Sequence, residues 1–168
     1  MNQSMFSDPP FSEPPICDPQ GRAGPFALAR DTDPYAALGR AAMLLMAHDS
    51  FGTLPFRQVT ALLAGQVNRG HYLFVSRNGQ QTGFVGWAFC SEAAGEAWIT
   101  THDTRLIGDG RGGACVAFNS WLTDGPDMNS FLVGQLRELF RDKSLLVARR
   151  RYADGRSRPV RLRNARLS

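Results

Sequence analysis

Cysteine is scarce in this chain, and the three copies, Cys17, Cys90 and Cys115, show no metal-ligand spacing. An odd number also excludes a fully paired disulfide framework. No apolar run reaches the length of about 20 residues that a membrane-spanning helix needs. The first residues lack the basic start and apolar stretch of a signal peptide. We therefore expect a cytoplasmic protein with no membrane span and no metal site.

The overall composition is that of a soluble globular protein. The 168 residues are 43% hydrophobic and 20% charged, which suits one domain with a substantial core. Six prolines between Pro9 and Pro25 predict a flexible arm over residues 1–32, followed by a single domain over 33–168 with a basic tail. The net charge of +4 favours acidic partners such as nucleic acid, anionic lipid or an acidic carrier protein.

Three helices are predicted from apolar residues that recur at helical spacing. Asp33 and Pro34 are typical of a helix start, and Gly70 is typical of a helix end. The three predicted helices and their inward residues are about 34–48 (Leu38, Ala41, Ala42, Leu45), 55–68 (Phe56, Val59, Leu63, Val67) and 130–141 (Leu132, Leu136, Leu139, Phe140).

Strands are predicted wherever β-branched and aromatic residues cluster. Asn78-Gly79 lies between two such runs, 71–77 and 82–90, and is the strongest short-range signal of a hairpin. Further strands are predicted at 97–102, 114–122 and 144–151, with an edge strand at 159–163. Together with the helices, they predict an α/β (α+β) fold with a mixed sheet and a right-handed crossover.

Several residues qualify as a candidate site. Residues 123–129 join a strand to a helix, and a helix N-terminus with Gly125 and Asn129 suits a phosphate or a phosphopantetheine arm. Arg105 to Gly110 matches the phosphate loop of coenzyme A-dependent N-acetyltransferases, an alternative that stays open. Among the histidines, His48 is the candidate acid/base; His71 is more typical of a strand edge, and His102 stands beside Asp103.

A family resemblance rests on the order and spacing of several segments. These are Leu38-Gly39, Arg69 to Arg77, Gly86-Trp87-Ala88, Phe118 to Leu122 and Leu136 to Phe140. Over roughly residues 36–152 the chain resembles the toxin-activating lysine acyltransferases, the hemolysin-activating family. The resemblance implies an N-acetyltransferase-like fold and a fatty acyl donor on acyl carrier protein. It also implies a protein or peptide lysine as acceptor, no permanently bound cofactor, and often a homodimer.

The resemblance also assigns roles to individual residues. The family's histidine falls on Phe51 and its aspartate on Ser120, so His48, one turn earlier, is the candidate base. Ser120 and its neighbour Asn119 would lie near the thioester, and Gly125 and Asn129 would hold the pantetheine arm.

Basic residues would meet the acidic carrier, namely Arg137, Arg141, Arg149 and Arg151. A non-catalytic relative that binds a carrier or client stays open as an alternative. Nucleic-acid binding is the least expected function, because the tail from Arg149 to Arg166 lacks interleaved aromatics apart from Tyr152.

Overall fold

The described part of the chain forms six strands and five helices. The computed structural model describes residues 25–52, 54–101, 106, 108–152 and 156–164. Its elements are β1 (Phe26–Ala29), α1 (Pro34–Met46), α2 (Asp49–Gly52), α3 (Phe56–Arg69), β2 (Tyr72–Arg77), β3 (Gln80–Cys90), α4 (Glu92–Thr100), β4 (Cys115–Leu122), α5 (Pro126–Leu139), β5 (Leu145–Arg151) and β6 (Ser157–Arg163).

The six strands form one mixed sheet in which spatial order follows chain order, β1 to β6. Neighbouring strands are antiparallel except β4 and β5, which are parallel and are joined through α5. A parallel connection needs such a crossover, whereas antiparallel neighbours can be joined by tight turns. The fold is therefore α+β, as predicted, and is consistent with an N-acetyltransferase-like mixed sheet flanked by helices.

Side chains alternate along β3 and so divide the core between the two faces of the sheet. Phe84 packs with residues of α1 and α3, and Cys90 packs with residues of α4. Val85 and Trp87 point the other way and pack with residues of α5. One face is thus covered by α1, α3 and α4, and the other by α5.

The predicted local signals are confirmed. The Asp33 carboxylate accepts hydrogen bonds from the backbone N–H of Tyr35 at 2.8 Å and of Ala36 at 3.4 Å. Gly70 ends α3 in the left-handed conformation, with φ of 65°. Asn78 and Gly79 turn between paired antiparallel strands with φ of 50° and 82°, which is the backbone that a type I′ hairpin turn requires.

The strand predicted at 97–102 is wrong, because Glu92–Thr100 form the helix α4. Ser91 caps this helix by accepting a hydrogen bond from the backbone N–H of Ala94 at 3.2 Å. Trp98 and Ile99 pack beneath the sheet beside Cys90. Helical spacing of these apolar residues, rather than alternation, buries them on one side.

Smaller differences concern the ends and faces of elements. Phe56 and Leu139 were predicted to point inward, yet they are 81% and 40% exposed. Helix α5 begins at Pro126 rather than near residue 130, because proline is well suited to the first helical position. Residues 26–29 lie inside the predicted arm and form β1, which pairs with β2. Within the described ranges, no helix combines the length and apolar character needed to cross a membrane.

Candidate functional site

A β-bulge interrupts the ladder between β3 and β4. Ser120 pairs with Gly86 and Phe118 pairs with Trp87, so Asn119 is the extra residue on β4. A bulge bends its strand and redirects a side chain, and bulges are common beside active sites. Asn119 is half-buried, whereas Ser120 is only 1% exposed.

The side chain of Gln66 on α3 forms hydrogen bonds with both Asn119 and Ser120. Its Nε2 donates to Asn119 Oδ1 at 2.5 Å and lies 3.0 Å from Ser120 Oγ. The Ser120 hydroxyl can in turn donate to Gln66 Oε1 at 3.4 Å. Gly86 leaves the space for this amide, because a Cβ there would lie 2.3 Å from the Gln66 side chain. Since Gln66 is fully buried, the amide orientation is fixed by these contacts.

The bulge lies where β4 and β5 part. Their parallel ladder joins Cys115–Phe118 to Leu145–Ala148, while β4 continues to Leu122 and β5 to Arg151. Beyond the ladder, residues 149–151 pair with β6 on their other side. The parallel pairing of β4 with β5 therefore ends at Phe118 and Ala148, immediately before Asn119.

The N-terminus of α5 carries anions of its own. Arg77 binds Asp124 at 2.7 Å and Asp127 at 2.8 Å, and Thr82 donates to Asp124 at 2.7 Å. The hydrogen bond from Arg77 is the main cause that lowers the pKa of Asp127, and a backbone hydrogen bond at Met128 adds to it. The same guanidinium lowers the pKa of Asp124, and the pKa of Arg77 is raised in return.

The two predicted donor-binding residues of α5 are therefore in different settings. Gly125 lies beside this ion cluster, since a Cβ there would be 2.9 Å from Asp127 Oδ1. Asn129 accepts a hydrogen bond from Trp121 Nε1 at 2.9 Å. The carboxylate of Asp127, which accepts a backbone hydrogen bond at Met128, thus lies at the helix end that we expected to receive the donor.

The two predicted catalytic residues do not contact each other. His48 is exposed at the turn between α1 and α2, where its carbonyl accepts from the N–H of Phe51 at 2.9 Å. Phe51, at the family's histidine position, packs against the core beneath α1. The Ser120 hydroxyl is bonded to Gln66 and not to an imidazole.

Gln66 is the site residue that sequence reasoning missed. It follows Val59 by seven residues and Leu63 by three, so it lies on the buried face of α3. A polar residue at a core position of an apolar stripe was the available signal. Buried polar groups need partners, and this one finds them on β4.

The alternative phosphate loop is only partly described. His102, Asp103 and Arg105 lie outside the described residues. Gly108 and Gly110 have φ of 125° and 75°, and the next element after them is the strand β4 rather than a helix. The described part therefore lacks the helix N-terminus that such a loop would need.

No set of three histidine, cysteine, aspartate or glutamate side chains in the described part of the chain is arranged to hold a metal ion. A comparison of the chain with models of protein families finds no match. A comparison with characterised proteins finds none either.

Proposed function

We propose that this chain is an acyltransferase that moves a fatty acyl group from acyl carrier protein to a lysine-type amine of a protein or peptide. The observation that supports it best is the end of the β4–β5 ladder beside the Asn119 bulge. We call the region between residues 119–122 of β4 and 149–151 of β5, beyond the end of their ladder, the slot. An extended phosphopantetheine arm suits such a position, because the amides of the arm can add to strand edges.

Asn119 would stabilise the charge that develops in the reaction. The amine attacks the thioester carbonyl, a C–N bond forms, the C–S bond breaks, and the amine proton leaves as the thiol is released. Because Asn119 Oδ1 already accepts from Gln66, its Nδ2 group is the donor directed away from that contact. An oriented amide donor of this kind can stabilise the tetrahedral oxyanion.

His48 remains the proposed proton acceptor. Its exposure at the turn between α1 and α2 allows an acceptor lysine to approach it from solvent. Ser120 is assigned a positioning part, because its hydroxyl is used to anchor Gln66. His48→Ala should lower turnover by about a hundredfold or more, the usual contribution of a general base. Full turnover in this variant would show that His48 is not the proton acceptor, and it would not affect the proposed role of Asn119 as oxyanion donor.

A basic patch beside the slot would receive the acidic carrier. Arg150 and Arg158 face each other across the β5–β6 ladder, and both are exposed. Like charges directly opposite each other destabilise a strand pair, so an acidic partner would relieve the repulsion. The four arginines expected to meet the carrier contribute unequally: Arg141 already pairs with Glu138 at 2.9 Å, and Arg149 donates to the carbonyls of Trp98 and Thr101.

The direct test is to incubate the protein with acyl-loaded acyl carrier protein and a library of lysine-containing peptides. Intact-mass analysis should show the acyl mass leaving the carrier and appearing on a peptide. Asn119→Ala should reduce the transfer rate by about 10²–10³-fold, the loss typical of one oxyanion donor. Asn68→Ala, on the exposed side of α3, is the matched control and should keep the full rate.

Other outcomes separate the alternatives. Carrier binding without transfer to any acceptor would favour a non-catalytic binding protein. Transfer of acetyl from coenzyme A with no carrier-dependent transfer would contradict the proposal and favour an N-acetyltransferase.

Charge reversal tests the carrier patch. Arg150→Glu and Arg158→Glu should each weaken carrier binding and reduce its salt dependence, because exposed charge pairs are screened by salt. Arg57→Glu, exposed on α3 away from β5 and β6, provides the control for the change in net charge. Equal weakening in all three variants would show that overall charge, and not this patch, determines binding.

A further inference from the structure

A second group of functional side chains gathers at the turn between α3 and β2. Arg69 and His71 flank the left-handed Gly70. A Cβ at Gly110 would lie 3.2 Å from Arg69 Cζ, so Gly110 packs against this guanidinium. Arg111 follows Gly110 in the chain. We call Arg30, Arg69, His71 and Arg111 the basic cluster.

Aromatic rings form the wall of the cluster. The His71 ring stacks on Trp87 with centroids 5.9 Å apart and meets the edge of Phe89 at 4.7 Å. Arg30 lies over the same Trp87 ring at 5.7 Å, and its Nε donates to the Tyr72 carbonyl at 2.9 Å. Cations and an imidazole are thus brought together on apolar walls, where charges act more strongly than in water.

Three nitrogens of this region are buried without a hydrogen-bond partner. They are Arg69 Nε, His71 Nδ1 and Trp87 Nε1. Trp87 is 2% exposed. Native proteins rarely leave such groups unsatisfied, because a buried polar group without a partner is destabilising. Arg69 Nε and Trp87 Nε1 are donors and favour an oxygen-rich ligand, whereas Nδ1 of a neutral His71 ring can accept a hydrogen bond.

The electrostatics of the cluster are positive. Burial is the main cause that lowers the pKa of His71 to about 4, and the charges of Arg69, Arg30 and Arg111 contribute. A backbone hydrogen bond with Gly110 opposes the shift. Burial and then the charge of Arg111 also lower the pKa of Arg69. The cluster therefore repels a further positive charge.

Few negative charges balance it. Asp109 is exposed and acts on Arg69, and its carboxylate accepts the backbone N–H of Arg111 at 2.9 Å. Asp31 binds Arg40 at 3.2 Å. Lys143 lies over the Phe89 ring at 4.9 Å and pairs with Asp142 at 3.2 Å. The cations that surround His71 thus outnumber the carboxylates that act on them.

We propose that the basic cluster is an oxyanion site that binds a phosphate group. Guanidinium groups match the geometry of phosphate and can donate two hydrogen bonds at once. Arg69 and Arg111 would contact the phosphate oxygens, and Arg30 would supply charge across the Trp87 ring. His71 Nδ1 accepts from a protonated phosphate oxygen or, once it holds a proton itself, donates to a charged one. Phosphate binding here does not require the proposed acyl transfer.

Phosphate binding would change the titration of His71, which provides the test. The ring proton signals of His71 are followed by NMR over a pH series in sodium phosphate and in sodium chloride of equal ionic strength. In phosphate the pKa of His71 should rise by about one to three units, because an opposite charge then lies close to the imidazole.

Variants locate the response in the cluster. Arg111→Gln should preserve folding because Arg111 is exposed, and it should weaken the phosphate response of His71. Arg69→Gln should nearly abolish it. Arg57→Gln, exposed on α3, should leave it unchanged. The same His71 titration in both media for the wild-type protein would overturn the proposal, as would a full response in both Arg69→Gln and Arg111→Gln.

A second probe identifies the source of the phosphate. 4′-Phosphopantetheine is compared with inorganic phosphate at equal concentration. Equal responses identify a site for free phosphate, and a clearly stronger response to 4′-phosphopantetheine identifies the carrier arm as the source.

Discussion

Replacing Gln66 by methionine should destabilise the fold through Ser120. Methionine has a similar length and no branch, so it fits above Gly86 without the amide. Gln66 is fully buried and its Nε2 lies 3.0 Å from the Ser120 hydroxyl, which is itself 1% exposed. Without that partner the hydroxyl is buried and unsatisfied, which costs about 1–3 kcal/mol. Asn119 contributes less, because it is half-buried and can turn to water.

The coupling is measured by urea unfolding of four proteins: wild type, Gln66→Met, Ser120→Ala and the double variant. Removing both partners takes away the unsatisfied groups, so the double variant should lose less free energy of unfolding than the sum of the single variants. We expect a difference of about 1 kcal/mol, within the range for contacting residues. Gln58→Met, exposed on the same helix, should change stability by less than about 0.5 kcal/mol. Additive losses would refute the network.

Three further predictions concern stability. Gly95→Ala puts a Cβ 2.4 Å from a buried cysteine sulfur and should cost roughly 1–3 kcal/mol in thermal unfolding, whereas Gly134→Ala meets nothing within 4 Å and should stabilise by roughly 0.5–1 kcal/mol. The folded pKa of His71, about 4, lies below the ordinary 6.5, so stability should fall as pH drops from 6.5 to 4, and His71→Gln should remove that part of the slope. Arg77 lowers the pKa of Asp127, so this ion pair stabilises the fold above the ordinary carboxyl pKa of 3.8, and the stabilisation is lost on acidification. In urea unfolding at several pH values, Arg77→Gln should reduce this loss of stability at low pH.

The local signals of the sequence predicted their structures well because their causes are local. Asn78-Gly79 accepts positive φ at both positions, which little else in the chain can do without strain. Asp33 caps its helix with its own carboxylate, and Gly70 ends the next helix through its own backbone freedom. The order of strands around α5 follows similarly from the need for a crossover.

The errors arose where distant contacts decide the structure. Residues 97–102 contain Trp98 and Ile99, and a short apolar run of this kind fits a strand as well as a helix. The helix is selected by packing, because Trp98 and Ile99 contact Cys90 and its neighbours on the sheet. Phe56 matched the period of α3, yet it lies at the first residue of the helix, beyond the part that packs on the sheet.

The candidate site was predictable only in part. Asn119 and Ser120 were assigned through the family resemblance, and the structure places both under Gln66. Their bulge is a shift in register between two strands, so it cannot be predicted from the sequence of either strand by itself. His48 and Ser120 were predicted to act in one site from their spacing along the chain. Spacing does not determine which side chains are buried, and here Ser120 is buried whereas His48 is exposed.

The sheet order also determines how the chain can assemble. Because each strand lies beside its neighbour in sequence, β2 to β6 can be added one at a time along the chain. Pairing of β1 with β2 requires a longer loop to close, because α1, α2 and α3 lie between them in the chain. Closing a short loop costs less chain entropy than closing a long one. We therefore expect the edge of the sheet at Phe26–Ala29 to form late and to exchange its amide hydrogens first.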